Sequence, residues 1–333
     1  MDLLASLLHE VRSTGALFGR TLLHAPWAVR FADRAPLTLL TMVRGDGWLI
    51  PDGAEPLRLH AHDVAVVVGP EPFTVTHEPG TPLTYTVQGP GQCITADGGD
   101  VSDQMGLGGR TCGEGLDAPY VLLAGGYPVQ GTVSQRLLST LPRVLVVPEC
   151  GEPCPVLDLA VAEIDREVPG QQAVLDRLLD LLLLSTLREW FTQPAAHPPA
   201  WYRASTDPSV GPVLRLIHET PSRPWSVASL AREAGVSRAT FARRFREVLG
   251  QPPMAYLAQW RLSQAADLLE RSEYTVDAIA RQVGYANGYA LSVAFTREFG
   301  VRPSEHRARF RRTSMPRSWS EGPQQAPVMS LSS

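Results

Sequence analysis

LAREAGVSRATFARRFREVLG, running from Leu230 to Gly250, decides the fold of the C-terminal third. Its apolar positions recur at helical spacing, break at Gly235 and restart after Ser237, a residue that caps helices by accepting a backbone N–H. Past the restart, Phe241, Phe245 and Val248 recur three and four residues apart and so share one buried face. Glycine at the break supplies the permissive backbone of a tight helix–helix turn. The pattern returns in IARQVGYANGYALSVAFTREFG, Ile279 to Gly300, with Gly284 standing 49 positions after Gly235. Two helix-turn-helix units on one rigid support can read two successive turns of one face of DNA.

The two copies are unequal. Ser226 and Ser237 cap the helices of the first unit, whose second helix presents Arg238, Ala239, Ala242, Arg243 and Arg246 away from the core, with Ser237 and Thr240 at its start. Arginine pairs bidentately with guanine O6 and N7 or with phosphate. Arg243 is therefore the expected base reader, and Arg238 and Arg246 the expected phosphate contacts. Thr275 caps the first helix of the second unit; its second helix, from about Asn287 to Phe299, buries Leu291, Phe295 and Phe299 and exposes Asn287, Gly288, Tyr289, Ser292, Val293 and Thr296. That face is almost uncharged, so base reading there relies on Asn287, Tyr289 and Ser292 or on apolar contact with thymine methyls. Arg297, at its edge, suits a phosphate. A long helix from Met254 to Leu269, started by Pro252-Pro253, joins the units and fixes their spacing.

Charge separates this region from the rest. Residues 1–211 hold 13 Arg against 24 acids, whereas residues 212–312 hold 16 Arg against 9 acids, so the net −4 conceals an acidic module joined to a basic one. Only the second suits a polyanion. The 44% hydrophobic content of the 333 residues suits two packed cores. No apolar run approaches the roughly 18 residues of a membrane span, and Met1 to Glu10 lacks a basic start, so no membrane partner and a cytoplasmic location are expected.

From Ala16 to about Val147, short apolar runs alternate with Gly, Pro and Asp. Leu37–Val43, Gly47–Ile50, Val64–Val68, Phe73–Thr76 and Val121–Leu123 read as strands of a β-sandwich or barrel. Residues 1–13 read as a short amphipathic helix. Val156–Val168 and Gln171–Phe191 read as an antiparallel helical pair whose broad leucine stripe also suits a second copy of the chain. Gln193 to Pro212, rich in Pro and Ala, reads as an interdomain linker, and the Ser- and Pro-rich tail 313–333 as disordered. The domain plan is 1–150, 151–192, 193–212, 213–312 and 313–333.

Trp225 through Phe245 resembles the first reading unit of the AraC/XylS family of transcription regulators. Val283-Gly284-Tyr285, Phe295 and Phe299-Gly300-Val301-Arg302-Pro303-Ser304 resemble that family's signature over its second unit. Base-contacting positions in relatives match Ala239, Ala242 and Arg243, then Gly288, Tyr289, Ser292 and Val293. Val293 stands where Arg is common, which implies less base-specific energy from the second unit. Residues 1–145 resemble the cupin-type sensor domain of one branch of the family, on Gly19-Arg20, Ala25 through Phe31, Asp63 through Val68 and Gly125-Gly126-Tyr127. The resemblance implies an α+β multidomain chain, with a cupin-like β-barrel and helical pair followed by an all-α double helix-turn-helix. It also implies a regulator that binds double-stranded DNA as a homodimer, responds to a small-molecule effector and contacts RNA polymerase.

Trp27, Phe31, Trp48 and Phe73 are candidates to line a pocket inside the barrel. His60-Ala61-His62 resembles the paired histidines of cupin enzymes, but Glu71 and His77 do not complete the spacing of a metal site. No metal, cofactor or catalytic residue is expected. The alternative is a metal-dependent cupin enzyme fused to a DNA-binding module. Cys93, Cys112, Cys150 and Cys154 read as free thiols rather than a disulfide framework, with redox sensing the alternative. Ala124 stands where several relatives carry Cys.

Overall fold

The computed structural model describes residues 17–314 apart from short breaks at 90–91, 103, 108–109, 128–130, 150–153, 167, 194–195 and 197. The helix expected over 1–13 and the tail beyond 314 lie outside the described residues, as does Cys150. One six-stranded sheet has the order β10 (Thr111–Gly113), β1 (Leu17–Leu23), β11 (Tyr120–Tyr127), β3 (Leu37–Arg44), β6 (Val64–Val68), β12 (Val144–Val147). The other has the order β5 (Leu57–Leu59), β4 (Gly47–Pro51), β7 (Phe73–Thr76), β2 (Ala28–Phe31), β8 (Tyr85–Gly89), β9 (Gln92–Thr95). Both are mixed, because β1 runs parallel to β10 and β2 parallel to β8.

Strand periodicity explains why β3 and β6 read as continuous apolar runs. Leu40, Met42, Ala65 and Val67 point between the sheets, where they meet Trp27, Leu49, Phe73 and Val75. Leu37, Leu39, Val64 and Val66 point the other way, into a second core formed with helices. Those helices are α2 (Pro155–Ile164) and α3 (Gln171–Thr192), after a short α1 (Thr132–Leu138). The buried Tyr127 hydroxyl on β11 donates to the Leu179 carbonyl of α3 at 2.9 Å, tying sheet to helix.

The stretch read as an interdomain linker contains α4 (Ala200–Ser205), which buries Trp201 and Ala204 and packs against the first unit. Phe191 at the end of α3 stacks at 4.2 Å on Tyr202, and the Trp201 indole N–H donates to the Thr140 hydroxyl at 3.2 Å. Aromatic packing on both sides, not local propensity, holds this turn.

The remainder is helical: α5 (Gly211–Glu219), α6 (Val227–Glu233), α7 (Arg238–Leu249), α8 (Pro253–Arg271), α9 (Val276–Val283), α10 (Gly288–Phe299) and α11 (Pro303–Ser314). The hydrophobic core of α4–α7 is continuous with that of the sheet and α3, while α9 and α10 close a separate core on α8 with Leu262, Leu269 and Phe295.

Candidate nucleic-acid interface

The first unit follows from its caps. Ser226 and Ser229 form a reciprocal capping box at the start of α6, and Ser237 Oγ accepts the Thr240 N–H at 3.2 Å at the start of α7. Between them Gly235 turns the chain at φ +68°, with open space where a side chain would stand. Phe241 and Phe245 are fully buried. The opposite side leaves Arg238, Ala239, Thr240, Arg243 and Arg246 exposed and Ala242 half-buried. Among the described residues Arg238 and Arg246 have no ion-pair partner. Arg243 donates to Glu247 at 2.6 Å, one turn away, with both groups in solvent. Exposed pairs of this spacing are worth about 0.3–0.5 kcal/mol, so Glu247 restrains Arg243 only weakly.

Arg244 does different work. It donates from Nε to the buried Asp207 carboxylate at 2.8 Å, binding α7 to the α4–α5 turn. Burial raises the Asp207 pKa, but the N–H groups of Val210 and Ser209, the Ser209 hydroxyl and Arg244 outweigh it, leaving the carboxyl below its ordinary range.

The second unit repeats the frame. Thr275 caps α9, Gly284 ends it at φ +91°, and Asn287 Oδ1 caps α10 by accepting the Ala290 N–H at 2.9 Å. Two expected readers already make local hydrogen bonds. Gly288 is buried, its N–H donating to Asp277 Oδ1 at 2.7 Å, and the space a side chain would need is filled by that carboxylate. Ser292 is half-buried and its hydroxyl donates to the Gly288 carbonyl at 2.7 Å. The Asp277 carboxylate thus satisfies one of the orphan N–H groups at the start of α10. Tyr289, at 80% exposure, and Val293, at 55%, stand clear, with Thr296 and Arg297 exposed behind them.

Two anchors hold the units on α8. His218 of α5 stacks at 3.8 Å on Trp260 and hydrogen-bonds the Tyr256 hydroxyl at 2.8 Å. Arg261 donates to the carbonyls of Pro221 and Arg223 in the α5–α6 loop, at 2.8 and 2.9 Å. A side chain on Gly284 would lie 2.8 Å from both that guanidinium and the Ser222 backbone. The turn of the second unit thus sits on a loop of the first. The sequence did not reveal Arg261 or Asp207, because their partners lie on loops distant along the chain.

The sheet module also touches α8: the Thr132 N–H at the start of α1 donates to the buried Asp267 carboxylate at 2.5 Å. Beside this contact lies a cleft of about 410 Å³ lined by Thr132, Gln135, Ser139, Gln259, Ser263, Glu298 and Phe299.

Of the four aromatics expected around a barrel pocket, Trp27, Phe31 and Phe73 share one packed core between the sheets. Trp27 is fully buried and meets Tyr120 edge-on, and Phe31 stacks on Phe73 at 4.9 Å as packed core. Trp48 alternates to the outer face of β4, where Arg58 covers its ring at 5.2 Å. His62 occupies a turn at φ +68°, 3.9 Å from Glu149, while His60 faces Asp46 at 3.2 Å. Glu71 pairs with Arg143. Among the described residues no three metal-ligating side chains converge. Burial, then the neighbouring Cys112 and Asp100, push the Cys93 thiol up to about 11, and burial raises Cys112 also. Such thiols stay protonated near neutral pH and are poor nucleophiles.

Paired helix-turn-helix units fixed on one helix, the first with an arginine-rich outer face, and carried behind a β-sheet module, define a DNA-binding transcription regulator. The profile of the family described as Cupin matches residues 2–192, and that of the Helix-turn-helix domain matches residues 230–309. An AraC-like transcription regulator of Streptomyces lividans is 31% identical over 312 residues, 92% of this chain and 98% of that one. The transcriptional regulator AlkR of Acinetobacter baylyi is 36% identical over 145 residues, 44% of this chain and 47% of that one. Among solved structures, the DNA-binding domain of AdpA in complex with a target DNA is 37% identical, over 33% of this chain and 97% of that one, with a TM-score of 0.32. The chain belongs to the AraC-like transcription regulators and carries an N-terminal cupin domain ahead of its helix-turn-helix domain.

Proposed function

We propose that α7 and α10 enter successive major-groove segments on one face of the duplex, with Arg243 reading a guanine, flanked by Ala239 and Ala242, and with Arg238, Arg246 and Arg297 on phosphates. Exposed Arg238 and Arg246, unpartnered among the described residues on a helix whose other face is fully buried, carry this assignment. The helix starts at Ser237, with Thr240 beside it, and at Asn287 add polar and backbone contacts to phosphate, and exposed Thr296 adds a hydroxyl near the end of α10. The DNA-binding module spans 213–312 with α4 as its support. Residues 1–150 form the sensor and 151–192 the dimerising pair, and the protein acts in the cytoplasm.

A second copy is the proposed partner of α2 and α3, which expose Leu159 at 57%, Val174 at 44% and Leu181 at 48%. A small-molecule effector would act by changing the α1–α8 contact, and so how the reading helices are presented to DNA and to RNA polymerase. Titration of the full chain against duplexes selected from a random pool tests the DNA assignment. Enriched sites bound in the nanomolar range are expected, and a chain that enriches no sequence would overturn it.

A further inference from the structure

We infer that the second unit reads the C5-methyl groups of thymine through Tyr289 and Val293. This rests on the DNA-reading role proposed above and assigns the chemistry of its weaker half. The face of α10 begins with several groove-facing polar candidates, but the structure leaves few of them free. The Asn287 side-chain oxygen is taken by the Ala290 N–H, the Gly288 N–H by Asp277, and the Ser292 hydroxyl by the Gly288 carbonyl. What stands out from the helix is apolar surface: Tyr289 at 80% and Val293 at 55% exposure, four residues apart on one face.

On a helix expected to enter the major groove, such an exposed pair is placed to make apolar contact with base edges. DNA is the partner that the surroundings favour. Arg297, one turn after Val293 on α10, is exposed and lacks an ion-pair partner among the described residues, and it sets positive charge beside the pair. The Arg261 clasp fixes α8, on which α9 and α10 pack, to the α5–α6 loop of the first unit. In the major groove the thymine methyl is the one apolar group on a base edge. A tyrosine ring and a valine one turn apart match methyls on neighbouring base pairs. The second unit therefore selects A·T pairs by apolar contact, whereas the first reads by charge.

The test begins with duplexes enriched by the full chain from a random pool. The block about 10 base pairs from the position relaxed by Arg243→Ala marks the half read by the second unit. Replacing dT by dU in that half removes only methyl groups, so it requires no change in the protein. Weakening of about 3- to 10-fold is expected. The same replacement should have no effect on the Tyr289→Ser, Val293→Ser double variant, whose altered positions are both on the surface. Enriched sites that bind equally well with dU in that half would overturn the inference while leaving the DNA-reading role intact. A pool in which no sequence is enriched would overturn that role itself. Loss of reporter transcription in the double variant with its dissociation constant for DNA unchanged would assign the pair to a protein contact and likewise overturn the inference.

Discussion

Arg243 and Arg246 stand on the same exposed side of α7, yet their surroundings give them different tasks. Arg243 points along the helix to Glu247 and must exchange that ion pair for a base, so Arg243→Ala is expected to cost about 1–3 kcal/mol of binding and to relax preference at one position. Arg246, without such a neighbour, suits phosphate: Arg246→Ala should weaken every sequence alike and lower the salt slope by about one, as measured by anisotropy at several salt concentrations. The two turn glycines also look interchangeable in the sequence and are not. Gly235→Ala meets open space and should cost roughly 1–2 kcal/mol from its left-handed backbone alone. Gly284→Ala adds contact with the Ser222 backbone and Arg261, raising the loss to about 2–4 kcal/mol in urea denaturation. The arginine face of α7 was legible from spacing. The burial of Gly288 was not, because it depends on Asp277, eleven positions earlier on another helix.

At the scale of elements, helix starts were legible wherever a side chain caps the backbone. Ser226, Ser237, Thr275 and Asn287 each stand one residue ahead of a helix and accept a backbone N–H. The apolar runs of β3, β4, β6 and β7 were legible too, whereas β2 is only four residues long and β8 is polar at alternate positions, and both exist through their neighbours in the sheet. Helix α4 was missed because Pro198-Pro199 and a six-residue length give no periodicity; Trp201 packing supplies its stability. The Asp207–Arg244 link that fastens this region to α7 makes a pH-dependent statement. The folded carboxyl titrates below its unfolded value, so its stabilisation is complete above about pH 4 and is lost as the pH falls through the folded value. Asp207→Ala should therefore destabilise the chain by about 1–3 kcal/mol at pH 7, with the gap from wild type closing below about pH 4 in denaturation curves.

Over the whole molecule, the acidic N-terminal part and basic C-terminal part foretold a division of labour, and the packing shows how the parts are coupled. One hydrophobic core runs from β3 and β6 through α3 to the first unit, while the second unit meets the sensor through α1 and Asp267. The sequence could not show this, since Tyr127 and Leu179 stand 52 positions apart and Thr132 and Asp267 stand 135 apart. The exposed leucines of the helical pair give the corresponding oligomer prediction. Leu159→Glu with Leu181→Glu should convert a dimer to a monomer in sedimentation and weaken binding to a repeated site more than to a single one. Unequal docking of two heads on one face of DNA is tested most directly by a base-by-base scan of affinity across a selected site. Two sensitive blocks about 10 base pairs apart are expected, the Arg243 block sensitive to loss of guanine and the Tyr289–Val293 block to loss of thymine. A single block, or two blocks with the same guanine dependence, would contradict it.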